Sequence, residues 1–501
     1  MDFDKILDEI GEFGRYQKTN YFLICLPVMF AAANSLSYVF TAGNINYRCF
    51  IPECDNLIDS NVYDVDWMEN AVPGYKDSDG YFIPDSCSRF KIKDNKTNTQ
   101  NHTTCPSDWF LINDVETCNQ WIYDPNESTI LNEWEITCKE NAWKLALVGT
   151  CHFAGLVVGT AISGFLADRF GRKIIFILSI IFMSITGILQ GLAWDYISFL
   201  IFAFLNAVGT ASVYPLAFII AVEMVGCRKR EMSSIILNYF YAVGEALVGL
   251  LAWLSRDWRT LQYVLSAPPL LFTAYYWLIP ESVRWLITKE KHKKALKIIR
   301  KAAKTNHKEI SETLLKTFEI KDLESTIPNI KKEVEIIKNN SNGVIHSEDF
   351  LEIEIKGKKE FYTNQTNRDQ NEFYSDDDLN SVDAGKQILN AFLDIIKSKI
   401  LIVRFLILLL IWIVNAFVFY GLSLNSTNLS GNKYLNFALV CLVEIPGYSM
   451  AWIALQKFGR RWSLTGSLFL CAVTCIAGGF IAQGMLLIRQ IIINIIRYVN
   501  I

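Results

Sequence analysis

The chain has 501 residues, 51% of them hydrophobic and 20% charged, and its 48 basic and 51 acidic side chains leave a net charge of −3. There is no basic excess of the kind that binds nucleic acid, so a nucleic-acid partner is not expected. A mean hydropathy of +0.22 in a chain this charged requires apolar runs and charges to be segregated, which argues against a soluble enzyme and for an all-α polytopic membrane protein.

The leader, 1–20, carries Phe3, Ile6, Leu7, Ile10 and Phe13 at helical spacing. It predicts a short amphipathic helix, lying either on the inner membrane surface or against the bundle. A helix needs about twenty mostly apolar residues to cross a ~30 Å hydrocarbon core. The first such run, 21–43, follows an acidic leader and lacks a small-residue cleavage site, so it reads as a retained helix and not a signal peptide. The polar stretch 42–141 comes next, with 7 basic and 18 acidic residues. It holds six of the twelve cysteines (Cys49, Cys54, Cys87, Cys105, Cys118 and Cys138) and sequons at Asn95, Asn101 and Asn126. An even cysteine set beside glycosylation acceptors reads as a disulfide-stapled, glycosylated outer loop whose pairing the sequence leaves open.

Further spans follow at 142–166, 174–194, 198–221, 233–254 and 261–279, closing an N-terminal six-helix bundle over 21–279. The central segment 280–399 is expected to hold a helix near 289–304 and then a largely disordered, Asn- and Lys-rich stretch with sequons at Asn339 and Asn364. Spans at 400–421, 434–455 and 464–486 open a second bundle within 400–501 and bring the number read to nine. The basic clusters after spans 2, 4, 6 and 8 fall on one face, which the positive-inside rule makes cytoplasmic together with the N-terminus.

Charges inside spans are costly and mark interior sites. Glu245 in span 5 and Glu444 in span 8 are the strongest cases, and Glu223 lies near the inner end of span 4. Each deep acid either meets a cationic substrate or coupling ion, or bonds between helices. Pro446 follows Glu444 and cannot donate to the carbonyl one turn earlier, so span 8 is expected to break there. Tyr214-Pro215 carries the same breaker in span 4. Two short turns recur: Asp168-Arg169-Phe170-Gly171-Arg172-Lys173 after span 2, and Lys457-Phe458-Gly459-Arg460-Arg461 after span 8. Glycine permits the tight turn, and Asp168 could place its carboxylate at the N-terminus of the next helix. Recurrence in corresponding positions is the mark of a duplicated transporter bundle. Gly155 and Gly159 read as a close helix contact. The five histidines form no ligand cluster and no phosphate-binding loop is present, so no metal, cofactor or enzymatic reaction is expected.

Gly164 to Lys173 matches G-x-x-x-D-R-x-G-R-K and resembles the hallmark loop of the major facilitator superfamily. Pro280-Glu281-Ser282-Val283-Arg284-Trp285-Leu286 resembles a signature shared by sugar porters and organic-ion transporters. The six-cysteine outer loop, the leader and Glu223-Met224-Val225-Gly226 are similar to the organic cation/carnitine/anion transporter family. That resemblance implies a two-bundle fold of twelve helices, nine of them present here, moving small organic cations by alternating access in the plasma membrane. A carnitine-type, sodium-coupled zwitterion carrier is the near alternative, and a non-transporting surface receptor the distant one. Whether an ion is coupled stays open. By resemblance, Tyr214, Trp412, Phe419 and Tyr420 join Glu245 and Glu444 at the substrate cavity. Asp168, Arg169, Gly171, Arg172, Lys173, Glu223, Glu281, Arg284, Gly459 and Arg460 gate the inner face. The tail from Ile488 to Ile501 matches none of the family's remaining helices, so the second bundle is expected to be incomplete and the chain not to transport alone.

Overall fold

The computed structural model describes residues 3–55, 62–63, 65–76, 82–93, 105–311, 398–428 and 431–480. The sequons at Asn95, Asn101, Asn339 and Asn364, most of the central segment and the tail lie outside the described residues.

Helix α1 (Phe3–Ile10) precedes α2 (Arg15–Leu36), which continues through a further turn, Tyr38–Thr41. The first half then holds α3 (Cys138–Phe170), α4 (Arg172–Gly191), α5 (Tyr196–Met224), α6 (Arg230–Ser255) and α7 (Trp258–Ser266). The central segment contributes α8 (Val283–Thr288) and α9 (His292–Asn306), and the second half α10 (Lys399–Asn425), α11 (Lys433–Leu442) and α12 (Glu444–Phe480).

Seven helical segments among the described residues are long and apolar enough to cross a membrane, against the nine spans read from sequence. Two differences account for this. Span 6 is not one helix: α7 stops at Ser266, a 3-10 stretch runs over Pro268–Ala274, and a last turn covers Tyr275–Leu278. Pro268 and Pro269 both lack an amide hydrogen, and their rings crowd the preceding turn, which interrupts the α-helical ladder. Spans 8 and 9 run on as one segment through Gly459, the single non-helical residue inside α12 (φ 75°).

Span 8 breaks beside its proline at one residue only: α11 ends at Leu442, α12 starts at Glu444, and Val443 between them keeps helical dihedrals (φ −63°, ψ −18°). Pro215 does not have that effect, because α5 continues through it from Tyr196 to Met224. One missing bond in a 29-residue helix is tolerated when both flanks are packed, as Val213, Leu216 and Ala217 are.

Glycines set a close contact in the first half. A Cβ at Gly155 would come within 2.5 Å of the Phe204 carbonyl oxygen, and one at Gly159 within 2.3 Å of the Val208 carbonyl oxygen. Backbone therefore packs on backbone between α3 and α5. The bundle core joins Ile24 and Val28 of α2, Phe176 and Ile180 of α4, and Leu216 and Ile220 of α5.

The leader helix packs on the protein, the second of the two placements its spacing allows. Ile6, Leu7 and Ile10 are buried against Leu286 of α8 and Ala295, Ile299 and Ala302 of α9, and Asn306 ties the two ends by donating to the Ile10 carbonyl (2.9 Å) and accepting from the Tyr16 amide (2.9 Å). At the opposite end stands the outer loop. Its short antiparallel pairs join β1 (Tyr47–Cys49) to β6 (Trp121–Tyr123), β2 (Gly74–Lys76) to β3 (Phe82–Pro84), and β4 (Ser88–Ile92) to β5 (Phe110–Thr117). Disulfides link Cys49 with Cys118, Cys54 with Cys105 and Cys87 with Cys138. The buried Arg48 guanidinium bonds Asp55 at 2.8 and 3.0 Å. Two faces can thus be named by what they carry: a loop face and a turn face.

Candidate functional site

A cavity of about 290 Å³ lies where the halves meet. Its polar lining includes Thr160 of α3, Tyr214 of α5, Asn238 and Tyr241 of α6, Tyr420 of α10 and Tyr448 of α12. Tyr214 Oη donates to Asn238 Oδ1 at 2.6 Å, and its ring meets Tyr241 edge-on at 5.2 Å. Tyr420 packs edge-on against Phe153 at 4.5 Å.

Both interior acids stand behind this aromatic wall. Glu245 is 1% exposed and Glu444 0%. Each shares a helix face with a lining tyrosine one turn away: Tyr241 four residues before Glu245, and Tyr448 four after Glu444. Tyr448 Oη donates to Glu444 Oε2 at 3.4 Å. Tyr241, Tyr420 and Tyr448 each lie within electrostatic reach of both carboxylates. Two helices of different halves therefore bring two acids to one tyrosine cluster, and no basic residue lines the described cavity. Such a chamber favours a cation, through carboxylate charge and through ring faces.

Of the residues expected here, Tyr214 and Tyr420 line the cavity, and Glu245 and Glu444 back it. Phe419 packs edge-on against Tyr420 at 5.2 Å, one layer out. Trp412 is elsewhere: it is 73% exposed on α10. That helix is apolar on every side, so its sequence does not say which face turns inward. Tyr241, Tyr448 and Asn238 went unread, although an aromatic four residues from each buried acid was a usable signal.

The turn face holds a second constellation. Gly171 adopts φ +112°, and a Cβ there would sit 2.6 Å from Glu281 Oε2. Glu281 Oε1 accepts from the Lys173 and Ser282 amides, each at 3.0 Å. The carboxylate at the start of α4 is thus Glu281 and not Asp168, whose side chain is 79% exposed and only 4.0 Å from Arg172. Arg172 pairs with Glu223, whose Oε2 also accepts from Ser282 Oγ at 2.5 Å. Trp285 Nε1 donates to the Asp168 carbonyl at 3.0 Å, and Arg284 lies within electrostatic reach of Arg172. The sequence motifs of spans 2, 4 and 6 are one knot. Arg169 remains outside it, exposed and stacked on Phe170 at 5.6 Å. Gly459 and Arg460 also stand apart, with nothing within 4 Å of the position a Gly459 Cβ would take.

The family model described as Major Facilitator Superfamily matches residues 117–496. The chain belongs to the Major Facilitator Superfamily. The match spans both constellations, from the outer loop to beyond α12. Relatives within reach include "Organic cation transporter protein" of Drosophila melanogaster, 29% identical over 97% of this chain and 76% of its own length. "Organic cation/carnitine transporter 2" of Mus musculus is 29% identical over 94% of this chain and 73% of its own. A solved structure of the xylose transporter XylE from E. coli, in a partially occluded inward-open conformation, aligns with a TM-score of 0.52 at 14% identity, covering 97% of this chain and 84% of that one. That likeness supports the superfamily fold and says nothing of cargo. The seven long apolar helices fit a multi-pass membrane protein of the superfamily.

Proposed function

We propose that this chain carries small organic cations across the plasma membrane by alternating access, with Glu444 and Glu245 supplying charge and Tyr214, Tyr241, Tyr420 and Tyr448 supplying ring faces. The observation that carries the reading is the pair of buried acids behind one tyrosine cluster. A cation entering the cavity would offset two buried negative charges whose isolation in hydrocarbon is unfavourable by roughly 2.5–3.5 kcal/mol each or more. In this reading 21–279 and 400–501 are the two moving bundles, and 280–399 joins them. The turn face, with its basic clusters, and the N-terminus are cytoplasmic. The loop face is extracellular and Asn126, which is exposed, carries glycan.

The test is uptake of a labelled quaternary ammonium tracer by cells displaying the chain. Saturable uptake, competed by unlabelled organic cations and strongly reduced in the Glu444→Gln variant, is expected. Surface display with no uptake of any cation would refute transport by this chain. The name of the mouse relative motivates one further arm, in which sodium-dependent carnitine uptake exceeding cation uptake would assign the zwitterion reading.

A further inference from the structure

The halves touch along α6, and the contact is uneven. Tyr239 of α6 shares a 2.6 Å hydroxyl contact with Ser449 of α12. Nearer the loop face, a Cβ at Gly249 would come within 3.1 Å of Phe437 and 3.3 Å of the Tyr434 carbonyl oxygen. There Phe40 stacks on Tyr434 at 5.4 Å and meets Phe437 edge-on at 5.0 Å. Toward the turn face, by contrast, residues 456–462 of α12 are exposed.

One ion pair crosses this closed end. Lys433 of α11 pairs with Glu127 of the outer loop. Lys433 is the first residue of its helix, after the Asn432 cap, whose Oδ1 accepts from the Tyr434 amide at 3.0 Å. A cation at a helix N-terminus is unfavourable, so an anion facing it answers both the lysine and the helix end. Glu127 does not move freely. Ser128 is bonded to the first half on both sides: its amide donates to the Arg256 carbonyl at 2.8 Å, and its carbonyl accepts from Trp258 at 3.2 Å. The Asp124 amide donates to the Asn46 carbonyl at 3.0 Å, beside the β1–β6 pair that the Cys49–Cys118 disulfide holds. Among the described residues, the outer loop is therefore fastened to one half and reaches across to the other through Glu127, which meets both Lys433 and the Tyr434 hydroxyl.

We infer that Glu127 and Lys433 are positioning residues of the loop-face gate, a latch through which the disulfide-bonded outer loop holds the cavity shut on that side. The pair must part before cargo can enter from the loop face. This inference rests on the transport reading of the cavity, but its test reads accessibility and not transport.

A Ser35→Cys reporter lines the cavity, and its labelling by a membrane-impermeant thiol reagent added on the loop face measures opening, above the background of the chain without it. Glu127→Gln and Lys433→Gln should each raise the labelling rate by about threefold or more, the scale of one partly exposed ion pair. Lys433→Arg and the reversed pair Glu127→Lys with Lys433→Glu should return it to within about twofold of the parent. Unchanged labelling in both single variants would overturn the latch. So would a reversed pair as open as the singles, because charge complementarity would then be irrelevant. If the labelling pattern holds while the parent takes up no cation, the cargo reading fails and the gate stands.

Discussion

Gly171 and Gly459 are the corresponding glycines of the two repeated turns, and replacing each by alanine separates backbone strain from the turn-face knot. Both have positive φ, +112° and +75°, so an alanine at either is strained by roughly 1–3 kcal/mol. Only at Gly171 does the new Cβ collide, lying 2.6 Å from Glu281 Oε2 and 3.3 Å from the Trp285 ring. Glu281 can swing away, but it then gives up its bonds to the Lys173 and Ser282 amides. Hydrogen bonds to a charged group are worth about 1.5–3 kcal/mol, so Gly171→Ala should be about 2 kcal/mol more destabilising than Gly459→Ala. At no more than about 2–4 °C per kcal/mol, the scale of domains of roughly 150–250 residues, the purified Gly171→Ala protein should melt up to about 4–8 °C below Gly459→Ala in the same detergent. The excess should largely vanish in a Glu281→Ala background, where the collision partner is gone. Equal melting points for the two alanine variants, or an excess that persists without Glu281, would refute the assignment of Glu281 to the start of α4.

Other outcomes follow from the same geometry. Glu444→Gln should reduce cation uptake at least about tenfold, the loss of one desolvated charge contact, with surface expression retained; Tyr448→Phe, which removes only the 3.4 Å bond, should reduce it by no more than about threefold. Tyr420→Ala should raise KM, whereas Trp412→Ala, at an exposed site, should leave it within about twofold. Glu281→Gln should lower the maximal rate more than Asp168→Asn does, with KM little changed in both, because the Glu281 carboxylate accepts amide hydrogen bonds in the knot while Asp168 takes part only through its backbone carbonyl. Cys54→Ser should impair export, since losing a native disulfide typically removes about 2–5 kcal/mol. Asn126→Gln should sharpen or shift the glycosylated band on a gel.

Local chemistry made much of this protein legible from its sequence. Spans such as 174–194 and 198–221 follow from uninterrupted apolar length, because hydrocarbon demands that every backbone group be satisfied within the helix. The Gly171 turn and the close packing at Gly155 and Gly159 follow from what a missing side chain permits. The break beside Pro446 follows from a missing amide hydrogen, and the break of span 6 at Pro268 and Pro269 was readable on the same ground, although the apolar run masked it. Tertiary structure decided what depends on residues far apart in the chain. It placed Glu281 at the start of α4, 108 residues from the Lys173 amide it accepts, and Lys433 against Glu127, 306 residues away. It turned Tyr420 inward and Trp412 outward on a helix with no polar stripe to announce its orientation. It also gathered Tyr241 and Tyr448 around two acids that sequence had singled out separately. Periodicity and composition specify how a helix meets its solvent, but they carry no term for which other helix will occupy its apolar side, so the identity of partners across a bundle emerges only when the helices pack.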